Sequence, residues 1–414
     1  MSANGKKAWE RLEKTVLLGE LAHDGRVRPV KGVLPAVLAA KREGWPAVVV
    51  PVDNLAEASL VEGVEVWGIR TLRQLQKWLT GAAQLDNRID TPSPAPEPIA
   101  DLADVVGQSQ ARFAVEVAAA GAHHLMMTGP PGVGKTMLAQ RLPGLLPPLS
   151  EAESLEVTAI HSVAGVLSGS TPLIQRPPFV APHHTSSVAA LVGGGTGLAR
   201  PGAVSRAHRG VLFLDECAEI GVSAMEALRT PLEEGEVRLA RRDGVARYPA
   251  RFQLVLAANP CPCAPADPKD CLCAPMAKRR YLGKLSGPLL DRVDLRVEMH
   301  TARAGAFAVE EGESTSVVRD RVAAARAVAE ERWRPHGIRT NAEVSGELLR
   351  RKFRPEAAAM QPLRTALDRG LLSIRGVDRT LRVAWTLADL VGRTSPGVEQ
   401  VGTALSFRQG GGAR

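Results

Sequence analysis

Short, continuous apolar runs recur along this chain and predict the strands of a buried sheet. Such runs occupy residues 123–128, 210–214 and 252–258, and each is followed by a polar or glycine-containing segment. Strands of a parallel sheet that is covered on both faces read in this way, without polar alternation. A long alanine- and arginine-rich helix is predicted over 315–331, and the pattern from 345 to 391 is helical throughout. The chain is therefore predicted to be an α/β protein with a helical C-terminal region.

The first 80 residues show the same alternation on a smaller scale. Strands are predicted at 15–21, 47–52 and 64–69, and helices at 29–43, 55–61 and 72–79. This α/β layer carries no recognisable catalytic motif. Residues 91–98 contain four prolines, which a helix or a central strand cannot accommodate. They predict a stiff, extended linker and the first domain boundary.

A glycine-rich segment follows the run at 123–128 and fits G-x-x-x-x-G-K-[ST], the spacing of a phosphate-binding loop. Its glycines let backbone N–H groups turn toward phosphate oxygens, and the N-terminus of the following helix favours an anion. Lys135 is expected to reach the β- and γ-phosphates of ATP, and the Thr136 hydroxyl to hold Mg²⁺. The predicted nucleotide-binding residues are Gly129, Pro130, Pro131, Gly132, Val133, Gly134, Lys135 and Thr136.

Polar residues end the next two apolar runs. Asp215 and Glu216 follow residues 210–214, and Asn259 follows residues 252–258. An acid at the carboxyl end of a parallel strand lies near the phosphate loop, so Asp215 is expected to hold Mg²⁺. Glu216 is then placed to orient or deprotonate an attacking water.

The segment between the phosphate loop and these acids is predicted to be less regular. A proline-interrupted turn at 143–149 leads to a helix over 150–162, capped by Ser150 with Glu153 at the capping-box position. Residues 179–202 contain a run of three glycines and are predicted to form an insertion rather than packed core.

His183 and His184 lie side by side in that insertion. Paired histidines can bind a metal, but no cysteine or acid lies nearby at ligand spacing. A polar turn is the favoured interpretation.

Residues 236–251 are predicted to form a β-hairpin around the tight-turn pair Asp243-Gly244. Its arms and tip carry Arg238, Arg241, Arg242 and Arg247, and by themselves they are compatible with a solvated charged hairpin.

Four cysteines follow Asn259 in two closely spaced pairs, Cys261 and Cys263, then Cys271 and Cys273. Four thiolates suit tetrahedral Zn²⁺, although the C-x-C spacing is less common than C-x-x-C. The alternative is a loop with reduced thiols. Cys217 stands apart and is expected to be packed in the core.

Charge and composition narrow the candidate partners. The chain carries 52 basic and 44 acidic residues, a net charge of +8 that leaves nucleic acid open as a partner. Aromatic residues are only 4%, so base stacking is not expected to dominate such a contact. There is neither an apolar run long enough to cross a bilayer nor an apolar signal core at the N-terminus. A cytoplasmic location without membrane contact is expected, where cysteines serve as thiols or metal ligands.

The order of these motifs is that of an AAA+ ATPase. Their residue sequences are similar to those of the magnesium-chelatase-like ComM/YifB family, and the resemblance extends from about residue 12 to residue 407. The segments that carry the resemblance are Pro182-His-His-Thr-Ser, Leu191-Val-Gly-Gly-Gly, Gly210-Val-Leu-Phe-Leu-Asp-Glu, Tyr248-Pro-Ala-Arg-Phe-Gln-Leu-Val and Leu285-Ser-Gly-Pro-Leu-Leu-Asp-Arg-Val-Asp-Leu. The resemblance implies a P-loop domain, with a parallel sheet between helices, a C-terminal helical lid and a preceding partial Lon/S5-like α/β domain. The expected bounds are 1–90 for the N-terminal domain, 91–98 for the linker, 99–312 for the ATPase core and 313–409 for the lid.

The resemblance also implies a role for each motif residue. Lys135 and Thr136 match the Walker A residues, and Asp215 and Glu216 the Walker B pair. Asn259 matches sensor 1, which positions the attacking water. Arg292 matches the arginine finger, which acts on the nucleotide of a neighbouring subunit. Arg375 matches sensor 2 better than Arg382 does.

Such enzymes are ATP-driven, Mg²⁺-dependent motors that resemble hexameric rings, and ComM-like members are implicated in branch migration of DNA during natural transformation. The expected partner is single-stranded or branched DNA. In such a ring the hairpin at 236–251 would point into the pore, as its counterpart does in related motors, and the candidate contacts for the DNA backbone are Arg238, Arg241, Arg242 and Arg247. A chelatase-type subunit and a protein-remodelling ATPase remain as alternatives. The resemblance covers only the latter part of the family's N-terminal domain and leaves open whether that short form is native. The cysteine cluster is not universal in the family, so any zinc is expected to be structural.

Overall fold

The computed structural model describes residues 3–87, 100–167, 173–195, 199–241, 244–265, 268–285, 287–301 and 312–409. By backbone contacts the chain forms two compact units. The first consists of Met1–Glu97, Leu149–Gln175 and Gly195–Gly202, and the second of Pro98–Pro148, Arg176–Gly194 and Ala203–Arg414. The linker predicted at 91–98 lies outside the described residues. No helix within the described ranges is long and apolar enough to cross a membrane.

The strands, numbered in chain order, are β1 (Thr15–Leu17), β2 (Glu20–Leu21), β3 (Val27–Arg28), β4 (Ala47–Pro51), β5 (Glu65–Ile69), β6 (Leu125–Thr128), β7 (Phe179–Val180), β8 (Gly193–Gly194), β9 (Arg200–Pro201), β10 (Val211–Leu214), β11 (Glu236–Arg241), β12 (Gly244–Pro249), β13 (Gln253–Ala258) and β14 (Leu295–Glu298).

The helices are α1 (Ala3–Leu12), α2 (Val33–Arg42), α3 (Leu55–Ala58), α4 (Leu72–Leu79), α5 (Ser109–Gly121), α6 (Lys135–Leu145), α7 (Glu151–Ala164), α8 (Val188–Val192), α9 (Ala203–Arg206), α10 (Val222–Ala227), α11 (Arg229–Glu234), α12 (Pro275–Leu282), α13 (Gly287–Leu290), α14 (Thr315–Trp333), α15 (Gly346–Arg351), α16 (Ala357–Asp368), α17 (Ile374–Leu390) and α18 (Val398–Gln409).

The first unit is built on a parallel sheet in the order β1-β4-β5. The central strand β4 is buried on both faces, which explains its uninterrupted apolar run. Val48 and Val50 pack on one face with α2 and α3, whereas Val49 packs on the other with Ile69 and Leu75. The other elements predicted for residues 15–80 are present, but the single strand predicted at 15–21 is wrong: it is divided into β1 and β2, and β2 pairs antiparallel with β3 in a separate sheet.

Helix α7 also belongs to the first unit, although the sequence places it within the ATPase core. It begins as predicted, with reciprocal Ser150 and Glu153 capping-box bonds. It packs against α2, and the Gly32 N–H donates to the Ser162 carbonyl over 3.1 Å. A helix distant in sequence thus completes the core of the first unit.

The second unit is organised around a five-stranded sheet in the order β14-β6-β13-β10-β7, with every neighbouring pair parallel. Alternate residues of each strand enter two apolar clusters on opposite faces. On β10, Val211 and Phe213 face one cluster, and Leu212 and Leu214 face the other. Because all five strands run the same way, the carboxyl ends of β6, β10 and β13 meet at one edge of the sheet.

The C-terminal helices share the first of these clusters with the sheet. Helix α14 packs on α5 and α17, and α17 packs on α18. Trp333, Trp385 and Phe407 lie in the same apolar cluster as Leu125 and Val255 of the sheet. The helical C-terminal region predicted from the sequence is confirmed.

Two local predictions were wrong. Helix α6 continues through Pro143 to Leu145 instead of ending before a turn. Pro143 lies near the end of the helix, where its missing N–H removes one bond and few helical residues follow. The segment 179–202 was expected to lie outside packed core, but its start is the sheet strand β7, and the Phe179 ring stacks on Phe213 with centroids 5.8 Å apart. A two-residue strand carries too short an apolar run to be recognised.

Candidate nucleotide site

The phosphate loop connects the end of β6 at Thr128 to the start of α6 at Lys135. Gly134 has φ +95°, a left-handed conformation that favours glycine and turns the chain into the helix. At Gly129 the constraint is space, because an added Cβ would meet the Met299 carbonyl oxygen at 2.5 Å. The loop and the N-terminus of α6 therefore have the strand–turn–helix arrangement that the motif predicts.

The Lys135 side chain lies folded into this loop, with only 8% of the residue exposed. Its ammonium donates to the carbonyls of Gly129 and Pro130 over 2.6 and 2.8 Å, and to Oδ1 of Asn259 over 3.0 Å. Burial lowers the pKa of Lys135, and the carboxylates of Asp215 and Glu216 oppose that shift. The loop thus concentrates one positive charge where a triphosphate would place its negative ones.

Thr136 and Asp215 form a second contact across the sheet edge. The Thr136 hydroxyl donates to Oδ2 of Asp215 over 2.8 Å, while Oδ1 accepts the Glu216 N–H over 2.9 Å. Hydroxyl and carboxylate oxygens are the ligands that Mg²⁺ prefers, and these two already converge on one point. Thr136 and Asp215 are the residues that would hold a Mg²⁺ ion, which would offset phosphate charge when bound.

Glu216 is paired with His184, a residue to which the sequence analysis gave no role at the nucleotide site. Its Oε2 lies 3.0 Å from Nδ1 of His184, which follows strand β7, the neighbour of β10 in the sheet. Glu216 itself has φ +47°, an uncommon conformation for a residue with a side chain. The adjacent His183 contacts the Thr185 hydroxyl over 2.8 Å instead. The paired histidines therefore form a turn, as predicted, and one of them reaches the catalytic candidate.

The position of His184 beside Glu216 follows from the order of strands in the sheet, not from the segment Pro182-His-His-Thr-Ser in which His184 lies. A polar residue just beyond β7 lies beside the end of β10 only if the two strands are neighbours. That relation requires β7 to be recognised as a strand.

Arg292 and Arg375 lie together, but away from this chain's own phosphate loop. Both line a cavity of about 310 Å³ that no residue of the loop 129–136 lines. Arg292 forms an ion pair with Glu233 and donates to the Pro288 carbonyl. Burial lowers the pKa of Arg292, as do the neighbouring arginine charges. Further charged residues that line this cavity include Arg379, Arg382 and Asp294.

The wall of this cavity is a buried charge network centred on Asp294. Oδ1 accepts from Arg379 over 2.7 Å, and Oδ2 lies 3.3 Å from Nδ1 of His123. Burial by itself would raise the pKa of Asp294, but the His123 hydrogen bond and the Arg379 charge hold it well below its usual range. Arg382, the weaker match for sensor 2, donates to the Val344 carbonyl over 2.7 Å, whereas Arg375 is exposed.

The predicted hairpin is confirmed as β11 paired antiparallel with β12, and it places Arg238 opposite Arg247. Arg238 forms ion pairs with Glu234 and Glu236, at 3.2 and 2.5 Å, whereas Arg247 is exposed. Arg241 ends β11 opposite Gly244, and Arg242 lies outside the described residues. Part of the positive charge expected on this hairpin is therefore neutralised within the chain.

The four paired cysteines lie together, with their Sγ atoms all within 4.8 Å of one another. Cys217 lies apart from this group and is fully buried. Burial, reinforced by the Asp215 carboxylate, raises the pKa of its thiol to about 12. The prediction that Cys217 is packed in the core is confirmed.

Comparison with known proteins assigns this chain to a family. Family models described as magnesium chelatase subunit ChlI, its C-terminal region, and subunit ChlI of Mg-chelatase match residues 101–307, 312–408 and 2–54. An uncharacterized protein of Mycobacterium tuberculosis strain H37Rv is 80% identical over the whole chain, which covers 82% of that protein. Protein YifB of Escherichia coli K12 is 39% identical over 94% of the chain and 76% of its own length. Competence protein ComM of Haemophilus influenzae is 36% identical over 99% of the chain and 80% of its own length.

Proposed function

Because this chain belongs to the magnesium chelatase ChlI family of AAA+ ATPases, together with YifB and ComM, we propose that it is an ATP-driven ring motor that acts on DNA. The family supports ATP hydrolysis with Mg²⁺. The observation that carries the proposal is the convergence of Lys135, Thr136, Asp215, Glu216 and Asn259 at one edge of the sheet.

Each of these residues has one task in the proposed reaction. Lys135 exchanges its loop carbonyls for phosphate oxygens and offsets their charge. Thr136 and Asp215 hold Mg²⁺, which when bound neutralises charge that develops on the β- and γ-phosphates. Glu216 accepts the proton of the attacking water, and the Asn259 amide orients that water. In the absence of DNA, the pair with His184 competes with the attacking water for the Glu216 carboxylate.

Arg292 and Arg375 would serve the nucleotide of a neighbouring subunit. Both line a cavity that this chain's phosphate loop does not share, which suits a contact made across an interface. In that contact Arg292 would exchange Glu233 for phosphate oxygens. We propose a homo-oligomeric ring, with six subunits as the expected number.

DNA is the proposed polymer that the motor moves, in a single-stranded or branched form. The hairpin β11–β12 offers exposed Arg247 and the strand-end residue Arg241, beside an exposed Val245. Arginine side chains on such a hairpin would contact phosphates without reading bases, so binding should be independent of sequence and weaken with salt. The name of the ComM relative, a competence protein, supports this substrate.

The test is ATP turnover measured without DNA, with single-stranded DNA and with a branched duplex, over a series of salt concentrations. DNA should raise turnover, and Arg247→Ala should reduce that stimulation while leaving the basal rate intact. For each phosphate that the variant no longer neutralises, the salt dependence of binding should become shallower by about 0.9 in log–log slope. The matched control is Arg351→Ala, which removes an exposed arginine that pairs with Glu347 elsewhere on the unit.

A chelatase-type subunit is the second candidate, because the matching family models are those of ChlI. In that role the ATPase would drive metal insertion by a partner chain, and DNA would leave turnover unchanged. Turnover unaffected by every form of DNA, in protein that binds and hydrolyses ATP, would overturn the DNA assignment and favour this candidate.

A further inference from the structure

Two pairs of cysteines separated in sequence come together immediately beyond the sheet. Cys261 Sγ lies 3.4 Å from the Sγ atoms of both Cys263 and Cys271, and those two are 3.6 Å apart. Cys273 completes the group, since all four sulfurs fall within 4.8 Å of one another.

These separations match a shared tetrahedral ion. With Zn–S bonds of about 2.3 Å, tetrahedral geometry places the sulfurs about 3.8 Å apart. All four residues are free cysteines. Four convergent sulfurs in a tetrahedron select zinc or iron among the common protein metals, and a redox-inactive ion suits a structural site.

Apolar packing does not hold this loop in place. Its two ends are anchored in one apolar cluster, by Ala258 at the end of β13 and by Tyr281 on α12. Between them Leu272 is 96% exposed and Met276 is 65% exposed. Ala264 adopts φ +42°, which costs free energy for a residue with a side chain. A metal ion bound by the cysteines would supply free energy that the burial of these side chains does not.

The neighbouring helix supplies the charge that a zinc centre needs. Four thiolates and one Zn²⁺ carry a net charge of −2, and an adjacent cation offsets part of it. Lys278 of α12 lies close enough to Cys271 for its positive charge to act on that sulfur. Cys263 is exposed whereas Cys261 is buried, so the ion would link the surface of the loop to the protein interior.

The position of the cluster gives it a role beyond folding the loop. Cys261 is two residues beyond Asn259, whose Oδ1 accepts from the Lys135 ammonium. We propose that Cys261, Cys263, Cys271 and Cys273 bind one Zn²⁺, and that this ion fixes the carboxyl end of β13 and so positions Asn259 at the nucleotide site. The positioning role rests on the proposed ATPase function, whereas the metal site does not.

The first experiment tests the metal. Elemental analysis of the full-length protein should find about one zinc per chain, and the variant Cys271→Ser/Cys273→Ser should lose it. Cys217→Ala is the matched control and should keep its zinc. If the double variant fails to fold, the wild-type protein exchanged with Co²⁺ should show the visible absorption of tetrahedral cobalt thiolate. Iron in place of zinc, or much less than one metal per chain, would overturn the assignment.

The second experiment tests the positioning. The double cysteine variant should bind a fluorescent ATP analogue within about threefold of wild type but turn over ATP about tenfold more slowly. In the Asn259→Ala background the same cysteine changes should have no further effect on turnover, because the residue they act through is gone. Fully additive losses would overturn the positioning role. Wild-type protein that binds zinc but does not hydrolyse ATP would refute the proposed ATPase function and leave the zinc site standing.

Discussion

Oε2 of Glu216 lies 3.0 Å from Nδ1 of His184, so the candidate catalytic base is paired with a side chain from the segment that follows β7. The His184 side chain is 33% exposed and the Glu216 side chain is 48% exposed. A pair in this environment is worth up to about 1 kcal/mol, enough to bias the orientation of a carboxylate without fixing it.

The first prediction concerns this pair. Replacing His184 with alanine should free Glu216 and raise ATP turnover in the absence of DNA by about two- to fivefold, the equivalent of that contact. The stimulation by DNA should shrink correspondingly. His183→Ala is the control, because its ring contacts Thr185 rather than Glu216. Basal turnover and DNA stimulation that are unchanged in His184→Ala would remove any role for the pair.

The second prediction separates binding from chemistry. Glu216→Gln should bind a fluorescent ATP analogue normally but hydrolyse ATP at least about 100-fold more slowly, because an amide cannot accept the water's proton. Lys135→Ala should instead weaken binding by about 10- to 150-fold, since it removes a charged hydrogen bond to phosphate. Hydrolysis by Glu216→Gln at the wild-type rate would exclude it as the base.

The third prediction is that Arg292 acts across a subunit interface. Arg292→Ala and Glu216→Gln proteins, each inactive, should regain activity when mixed, because some interfaces then combine an intact Arg292 with an intact Glu216. An arginine finger contributes about 10³–10⁵ in rate in well-studied enzymes, so even a small fraction of such interfaces is measurable. A mixture of Lys135→Ala and Glu216→Gln should stay inactive. No recovery in rings shown to contain both variants would contradict action in trans.

The fourth prediction concerns the buried carboxylate of Asp294. Asp294→Asn leaves Arg379 and His123 without their partner and should lower the free energy of unfolding by about 3–5 kcal/mol. Because the folded-state pKa of Asp294 is lowered, its stabilisation is present above the unfolded pKa of about 3.9 and is lost as the pH falls further. The difference between variant and wild type should therefore shrink below about pH 4.

Hydrogen exchange of the β6 and β14 amides reports this free energy for the second unit. Glu347→Gln, in an exposed pair with Arg351 of the same unit, is the control and should change it by less than about 1 kcal/mol. A penalty for Asp294→Asn that is equally small, or that grows on acidification, would contradict the assignment.

The elements that the sequence predicted well are those whose determinants are local. The phosphate loop, the strand ends at Asp215 and Asn259, and the Ser150 cap all depend on residues within one turn or one strand. Contacts between distant segments were missed. His184 depends on which strand neighbours β10, and the packing of α7 against α2 joins residues more than 100 positions apart. A single sequence does not show which distant segments pack together. In the case of His184, the strand β7 that would place it is only two residues long and was not recognised.

The shared core of the second unit has a mechanical consequence. Trp333, Trp385 and Phe407 of the C-terminal helices pack in one apolar cluster with the sheet. Swinging these helices away would expose that cluster, at about 25 cal/mol for each Å² of apolar surface brought into water. In the proposed ring motor, ATP-driven movement would then come from whole subunits tilting against their neighbours, with the C-terminal helices and the sheet of each subunit moving together.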